Sequence, residues 1–337
     1  MDKIESQITP IPPSTIASLR AGFDAVANQI VIIIIPLAID LLLWLGPRLQ
    51  VKTLVNNYFD VMASLPPFNS IQPGDVLSTS MDIMRSAASQ FNLLNLLRTI
   101  PVGIPSLMAL RLPIGIPNGL PFFVDLTNPL VIMGVVIGLL LTGLISGCFF
   151  YIIIGQIVMN GRIDIKKAVK DWPWSSLQVF SLALALLILF IVVSVPSSCV
   201  ISAIALFGLP LGQFAITLYI GVMLWLAFPL IFSAHGIFVN HNKAIVSVQR
   251  SMVLTRMTLP TTSLFFLSIL AISEGLDILW RVPPETSWLT MIGVGGHAFI
   301  TSALLAASFV YYRDADLWTQ ETLRLIKSQR EMPIQGN

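Results

Sequence analysis

From Trp172 through Ser273 the chain carries no Asp or Glu, and its only Lys or Arg residues there are Lys243, Arg250 and Arg256. A soluble domain must clothe a surface, and about a quarter of its residues are ordinarily charged. A stretch this long without one carboxylate cannot present such a surface. The whole chain shares the bias: of 337 residues, 55% are hydrophobic and 11% charged. Its apolar runs reach about 20 residues, the length that crosses a ~30 Å hydrocarbon layer. The expected fold is therefore an all-α polytopic helical membrane bundle of about six transmembrane helices, with interfacial elbow helices.

Residues 1–22 read as a polar cytoplasmic leader and 23–45 as a first transmembrane helix. No small-x-small cleavage site follows, so this span is expected to stay uncleaved. Pro36 should kink it, because it removes a backbone donor and crowds the preceding turn. Residues 46–128 form a non-spanning amphipathic and Pro-rich region, with a turn expected at PPFNSIQPGD (66–75). The 100–123 segment, IPVGIPSLMALRLPIGIPNGLPFF, is apolar but holds Pro101, Pro105, Pro113, Pro117 and Pro121. As a spanning helix it would leave too many backbone groups unpaired in lipid. It is expected to lie at the interface, re-enter, or pack on the bundle.

Residues 129–311 read as a five-helix membrane core, with spans near 129–158, 175–195, 211–232, 260–279 and 288–311. The second of these should stop at Pro196, and FGLPLGQ (207–213) should break the chain before the third. Gly134 with Gly138, and Gly143 with Gly147, make small-xxx-small steps that predict close helix packing. Residues 312–337 read as a charged cytoplasmic tail, an amphipathic helix with a disordered tip. With both termini inside, 13 of the 19 Lys and Arg residues fall on the cytoplasmic side, as the positive-inside rule requires. Arg48 and Lys52, close behind the first span, count against that orientation.

Between two of these spans lies FVNHNKAIVSVQRSMVLTRMTLP. Wound as a helix, it places Ala244, Ile245, Val248 and Met252 on one face, with Lys243, Ser247 and Arg250 roughly opposite. That pattern predicts a helix lying in the membrane interface with its greasy side in lipid or against the bundle. Elbow helices are expected over 162–171 and 241–256. Lys243, Arg250 and Arg256 of the second, and Lys166, Lys167 and Lys170 of the first, are the candidate contacts to anionic lipid or to a cytoplasmic or membrane protein partner. The two loops share a plan, Asn160 before KKAV and Asn240 before KAIV, which reads as a degenerate internal repeat.

The ionisable groups near or within spans are Asp40, Glu274, Asp277, His235 and His297. Such groups are functional candidates by default. Positions near span ends make solvated, interfacial carboxylates the simpler expectation for Asp40, Glu274 and Asp277. Glu274 and Asp277 share a helix face and could cluster with Arg281. For His297, a neutral imidazole bonded to a backbone carbonyl suffices. His235 and His241 are spaced to diverge on a helix, and HExxH is absent, so no metal site and no cofactor are expected. Cys148 and Cys199 read as small packed hydrophobes.

No GxSxG elbow and no Walker-type phosphate loop occurs, so no enzymatic activity is expected. A net charge of +2 leaves no nucleic-acid footprint. A lipid-modifying enzyme would need Asp40, Glu274 and His297 gathered at a cavity. The alternative reading is a transport permease subunit: RSMVLTRMTLP ends in the Leu-Pro common in coupling loops, although the acidic start and mid-loop Gly are missing.

Phe228-Pro229 late in a span, then N-x-x-KAI-x-x-x-x-RS-x-x-L-x-R from Asn240, then YYRDADLW (311–318), resembles a loose group of bacterial and archaeal multipass membrane proteins. The group includes the membrane domain joined to glycerophosphodiester phosphodiesterases. The resemblance covers roughly 130–318 and implies a helical membrane domain. The family pattern usually has an acidic residue where this chain has Lys243. The soluble phosphodiesterase domain has no counterpart in this sequence, so the resemblance transfers no catalytic residue. The expected role is that of a non-enzymatic scaffold, lipid-interacting or partner-binding domain in the cell membrane.

Overall fold

A computed structural model describes residues 12–65, 76–111, 113, 115–206 and 211–331. The turn expected at 66–75, most of the FGLPLGQ break and the tip of the tail lie outside the described residues. The helices run in the order α1 (Thr15–Asn28), α2 (Ile34–Leu45), α3 (Lys52–Ser64), α4 (Val76–Gln90), α5 (Leu107–Arg111), α6 (Pro129–Asn160) and α7 (Ile165–Leu206). They continue as α8 (Gly212–Ala227), α9 (Ser233–Asn240), α10 (Ala244–Met257), α11 (Leu259–Trp280) and α12 (Thr290–Glu331). Two short strands, β1 (Arg48–Gln50) and β2 (Phe123–Asp125), pair in parallel, with Leu49 opposite Val124.

Among the described residues five helices are long and apolar enough to cross a bilayer, and a sixth span results if the broken pair before and after Gln29 counts as one. They differ in exposure: 61% of the most apolar window of α12 is buried, against none of that of the span formed by α8 and α9. The chain is thus an all-α polytopic bundle in which α12 supplies core and α8 supplies apolar surface.

The chain forms two compact units. One holds the described residues of Met1–Gln29, Tyr151–Ala271 and Ala303–Asn337; the other holds Ile30–Phe150 and Ile272–Ser302. Helices α6, α11 and α12 contribute to both.

In the first unit, the expected polar leader is partly helical. Ser14 caps α1 by accepting from the Ala17 amide, and Ser18, Gly22 and Val26 are buried along one stripe. Gly22 sits against the backbone of Ala303 and Ala307, so the stripe of small residues lets α1 seat closely on α12. The core gathers Phe232, Leu254, Phe265, Tyr311 and Tyr312. Tyr311 stacks on Phe265 with ring centroids 4.3 Å apart. The expected separate elbow over 162–171 is corrected: from Ile165 onward it is the first part of α7, which also runs through Pro173 and Pro196 without ending. Likewise the tail from 312 is a continuation of α12. The two prolines each delete one hydrogen bond without ending α7, and charge alone does not end a helix.

In the second unit, the break expected at Pro36 falls just before it. A 3-10 turn occupies Ile30–Ile33, and α2 begins so that Pro36 sits in its first turn, where its missing N–H has no intrahelical partner. The Pro-rich segment packs inward: Val102, Ile104, Leu107 and Met108 are buried, the last two against Leu43, Trp44 and Val294. Two glycines of α6 let the chain before and within this segment come close: Gly143 abuts the Leu97 carbonyl and Gly147 the backbone of Val102 and Gly103, whereas Gly155 faces Phe309 of α12 and Gly134 and Gly138 meet no neighbour among the described residues. Arg48, counted above as a basic loop residue, is only 4% exposed and lies over the Phe123 ring.

Candidate functional site

The elbow helix α10 stands apart from its neighbours. His241 takes a left-handed conformation (φ 49°) and closes α9, and α11 starts after Thr258. The turn after α6 repeats the device with Gly161 (φ 69°), also directly after an Asn. Ala168 and Ala244, which occupy matching places in the two loops, are both buried. The expected repeat thus has a shared turn, after which one copy runs on as α7 and the other stops as a separate elbow.

The face by which α10 packs corrects the expectation for Ser247. Ala244, Ser247, Ser251, Leu254 and Thr255 are buried, while Ile245 is 73% exposed. Ser247, assigned above to the outward basic side, is 1% exposed. The physical reason lies in the preceding span, which breaks into a 3-10 turn at Phe228–Leu230 before α9. That break frees backbone groups, and α10 answers them. Ser251 donates to the Pro229 carbonyl (2.8 Å) and accepts from the Phe232 amide (3.2 Å). Ser247 donates to the Ser233 carbonyl, and Gln178 of α7 accepts from the Ala244 amide at 3.0 Å. In apolar sequence a hydroxyl aimed at a freed carbonyl outranks an Ile side chain for the inner face, because an unpaired buried carbonyl costs about 1–3 kcal/mol.

The motif residues meet one another here. Asn240 donates to the Tyr312 hydroxyl (3.1 Å) and to Asp316 (3.0 Å), Tyr311 contacts Thr262 at 3.1 Å, and Leu254 joins the core. His235 shares a 2.8 Å hydrogen bond with Ser308 and lies among Phe232, Phe309 and Tyr312. These contacts tie α9 and α10 to α11 and α12.

Lys243, Arg250 and Arg256, and Lys166, Lys167 and Lys170, are all exposed, and none forms an ion pair among the described residues. A cleft of about 220 Å³ joins the two turns, lined by Gln156, Asn160, Lys167, Asp171, Ser175 and His241. A larger groove of about 810 Å³ borders the elbow on its Arg256 side. Sequence reasoning missed Ser247, Ser251, Gln178 and Thr255. The only signal for them was the phase of the serines, four residues apart, which hydropathy treats as polar and therefore as outward.

The second unit holds a different polar centre. Asp40 and Asp277 are 0% and 3% exposed, so the expected solvated carboxylates are buried. Asp40 Oδ1 accepts from the Met108 amide at 2.9 Å and from the Ser106 hydroxyl, which turns it into a remote cap for the start of α5. His297 bonds through Nδ1 to Asp277 Oδ1 at 2.8 Å, a carboxylate in place of the expected backbone carbonyl. Arg281 approaches the other Asp277 oxygen at 3.8 Å. Glu274 is exposed and stands outside this group. The trio Asp40, Glu274 and His297 is therefore not assembled; Asp277 takes the place of Glu274.

Among the described residues no three His, Cys, Asp or Glu side chains gather within reach of one metal ion. Cys148 is buried and Cys199 exposed, and neither forms a disulfide among the described residues. The chain matches no protein-family model, curated protein or solved structure. Its geometry alone therefore bears on what it does.

Proposed function

We propose that the chain is a multipass protein of the cell membrane, with both termini cytoplasmic, that performs no chemistry of its own and acts as a lipid-interacting domain. Its working surface is α10, resting on the inner leaflet. One observation carries the reading: α10 is fastened to the fold by its small and hydroxyl face, which leaves three cations and the apolar side chains of Ile245, Val246 and Val253 outward. Outward apolar groups favour the acyl boundary, and each basic group near an anionic leaflet adds on the order of 1 kcal/mol. The carboxylate-free sequence around α10 supports the same surface, since no Asp or Glu lies in α10 or in the stretch of chain on either side of it. A protein partner with an acidic face would use the same cations.

The triple reversal K243E/R250E/R256E tests this. Amide exchange across 241–257 is measured with the full chain in bilayers containing phosphatidylglycerol and in bilayers of phosphatidylcholine alone. The wild type should be more protected in the anionic bilayer, and the variant should lose that difference. Equal protection of wild type and variant in the anionic bilayer would overturn the reading.

A further inference from the structure

The groove beside the elbow is built from the end of α8, the 3-10 turn after it, the C-terminal half of α10 and the start of α11. Its volume of about 810 Å³ falls within the range of small-molecule sites, roughly 300–1,000 Å³. The lining is apolar, with Leu224, Trp225 and Phe228 from the α8 side and Met252 from α10. Leu224 is 66% and Trp225 73% exposed, so the groove opens on apolar surface that a bilayer would cover.

Besides Ser263, two polar groups interrupt that lining. Arg256 is exposed and forms no ion pair among the described residues. Thr255 is 1% exposed, yet its hydroxyl has no hydrogen-bond partner. Arg256 stands in the last turn of α10, shortly before the first residue of the span α11, which is the depth of lipid headgroups. A cation in a last turn also complements the helix dipole, but that accounts for neither the groove nor the orphaned hydroxyl. An apolar trough, a guanidinium at headgroup depth and a spare buried donor are together complementary to one kind of molecule. It has a hydrocarbon chain, a phosphate and ester oxygens.

We propose that this groove binds one anionic glycerophospholipid, with an acyl chain along Trp225, Phe228 and Met252 and the phosphate paired with Arg256. The guanidinium meets the phosphate through two parallel N–H···O bonds, a geometry a lysine cannot reproduce. The Thr255 hydroxyl donates to a phosphate or ester oxygen. This deepens the reading of α10 as a lipid-facing helix and rests on it. The surface reading needs three cations and any anionic bilayer, whereas the groove needs one cation and one lipid.

The test uses the purified full chain in neutral detergent, titrated with phosphatidylglycerol carrying brominated acyl chains. Bromine quenches nearby indoles, and the difference from W225F isolates the Trp225 signal. Quenching should saturate, and phosphatidylcholine with the same chains should need at least about fivefold more lipid. R256Q should bring phosphatidylglycerol to the phosphatidylcholine value, and R256K should restore it only in part. S263F, which places a ring in the groove at an exposed position, should abolish saturation with every cation intact. K243E/R250E should release α10 from anionic bilayers yet leave quenching unchanged, which separates failure of the surface from failure of the groove. Equal quenching by the two lipids, an unaffected R256Q, or loss of quenching in K243E/R250E would each overturn the site.

Discussion

In the elbow unit, the backbone freed by the break at Phe228–Leu230 is satisfied by neutral hydroxyls, Ser251 on Pro229 and Phe232 and Ser247 on Ser233. In the other unit, carboxylates share the repair of the Pro-rich segment with neutral groups such as the Thr99 hydroxyl on the Val102 carbonyl and the Ser106 hydroxyl on the Ala109 amide. Asp40 takes the Met108 amide, and Glu285 takes the Gly115 amide at 3.2 Å. Both arrangements obey the rule that non-helical backbone at membrane depth must find partners inside the protein. Their energetic consequences differ. A hydroxyl is cheap to bury once bonded, whereas a carboxylate brings a charge that needs more than one donor and a nearby cation. The second unit accordingly holds Arg111 at 3.6 Å from Glu285, and His297 on Asp277. The elbow junction needs no such escort, and its cations are left for the outer face.

The contrast is broken most directly at Asp40. Asp40→Ala leaves the Met108 amide and the Ser106 hydroxyl buried without their acceptor. The expected loss is about 2–5 kcal/mol, since each buried donor left unpaired costs about 1–3 kcal/mol. Asp40→Asn retains an acceptor oxygen and should lose clearly less. Unfolding of the detergent-solubilised protein by rising SDS reads both. If Asp40→Ala costs no more than a single serine at the elbow, charged and neutral repair are equivalent here, and the distinction fails.

A second variant probes how tightly the neutral junction is fitted. A Cβ at Gly236 would run into the Ser247 side chain and come within 3.0 Å of the Tyr312 hydroxyl. Gly236→Ala should therefore cost about 1–3 kcal/mol by overpacking. The double variant with Ser247→Ala should cost less than the sum of the two single ones, since one change makes room for the other. Additive losses in the same SDS titration would mean that α9 and α10 are not in register through this contact.

The two regions were also unequally legible in the sequence. Membrane class, the long spans and the separate elbow came from the acid-free stretch and from hydropathy. So did the refusal of 100–123 to span, since Pro lacks the N–H that a spanning helix needs. The inward face of α10 was hidden. Ser247 and Ser251 look outward in any amphipathic reading, and their role appears only once the broken span supplies carbonyls to face. Asp40 and His297 were visible as unusual residues, but their partners Ser106, Met108 and Asp277 come from distant segments that spacing cannot pair. Small-residue steps behaved the same way: Gly143 and Gly147 were recognisable as close-approach sites, while the object approached was not.

Ser251→Ala is expected to have the smallest effect and to be the most informative about the elbow. It removes a donor to Pro229 and an acceptor for Phe232 while leaving every charge and nearly all the packing in place. A neutral hydrogen bond contributes about 0.5–1.5 kcal/mol net, and the two groups left behind sit where a small rearrangement of the 3-10 turn can pair them again. A loss of about 1–2 kcal/mol is the expected outcome, well below that of Asp40→Ala. Because Ser251 ties α10 to the break in the preceding span, its loss should also raise amide exchange over Phe228–Leu230. Exchange confined to α10 itself would show that the serine merely packs. Faster exchange in both segments would show that the basic elbow is held in place by the backbone it repairs.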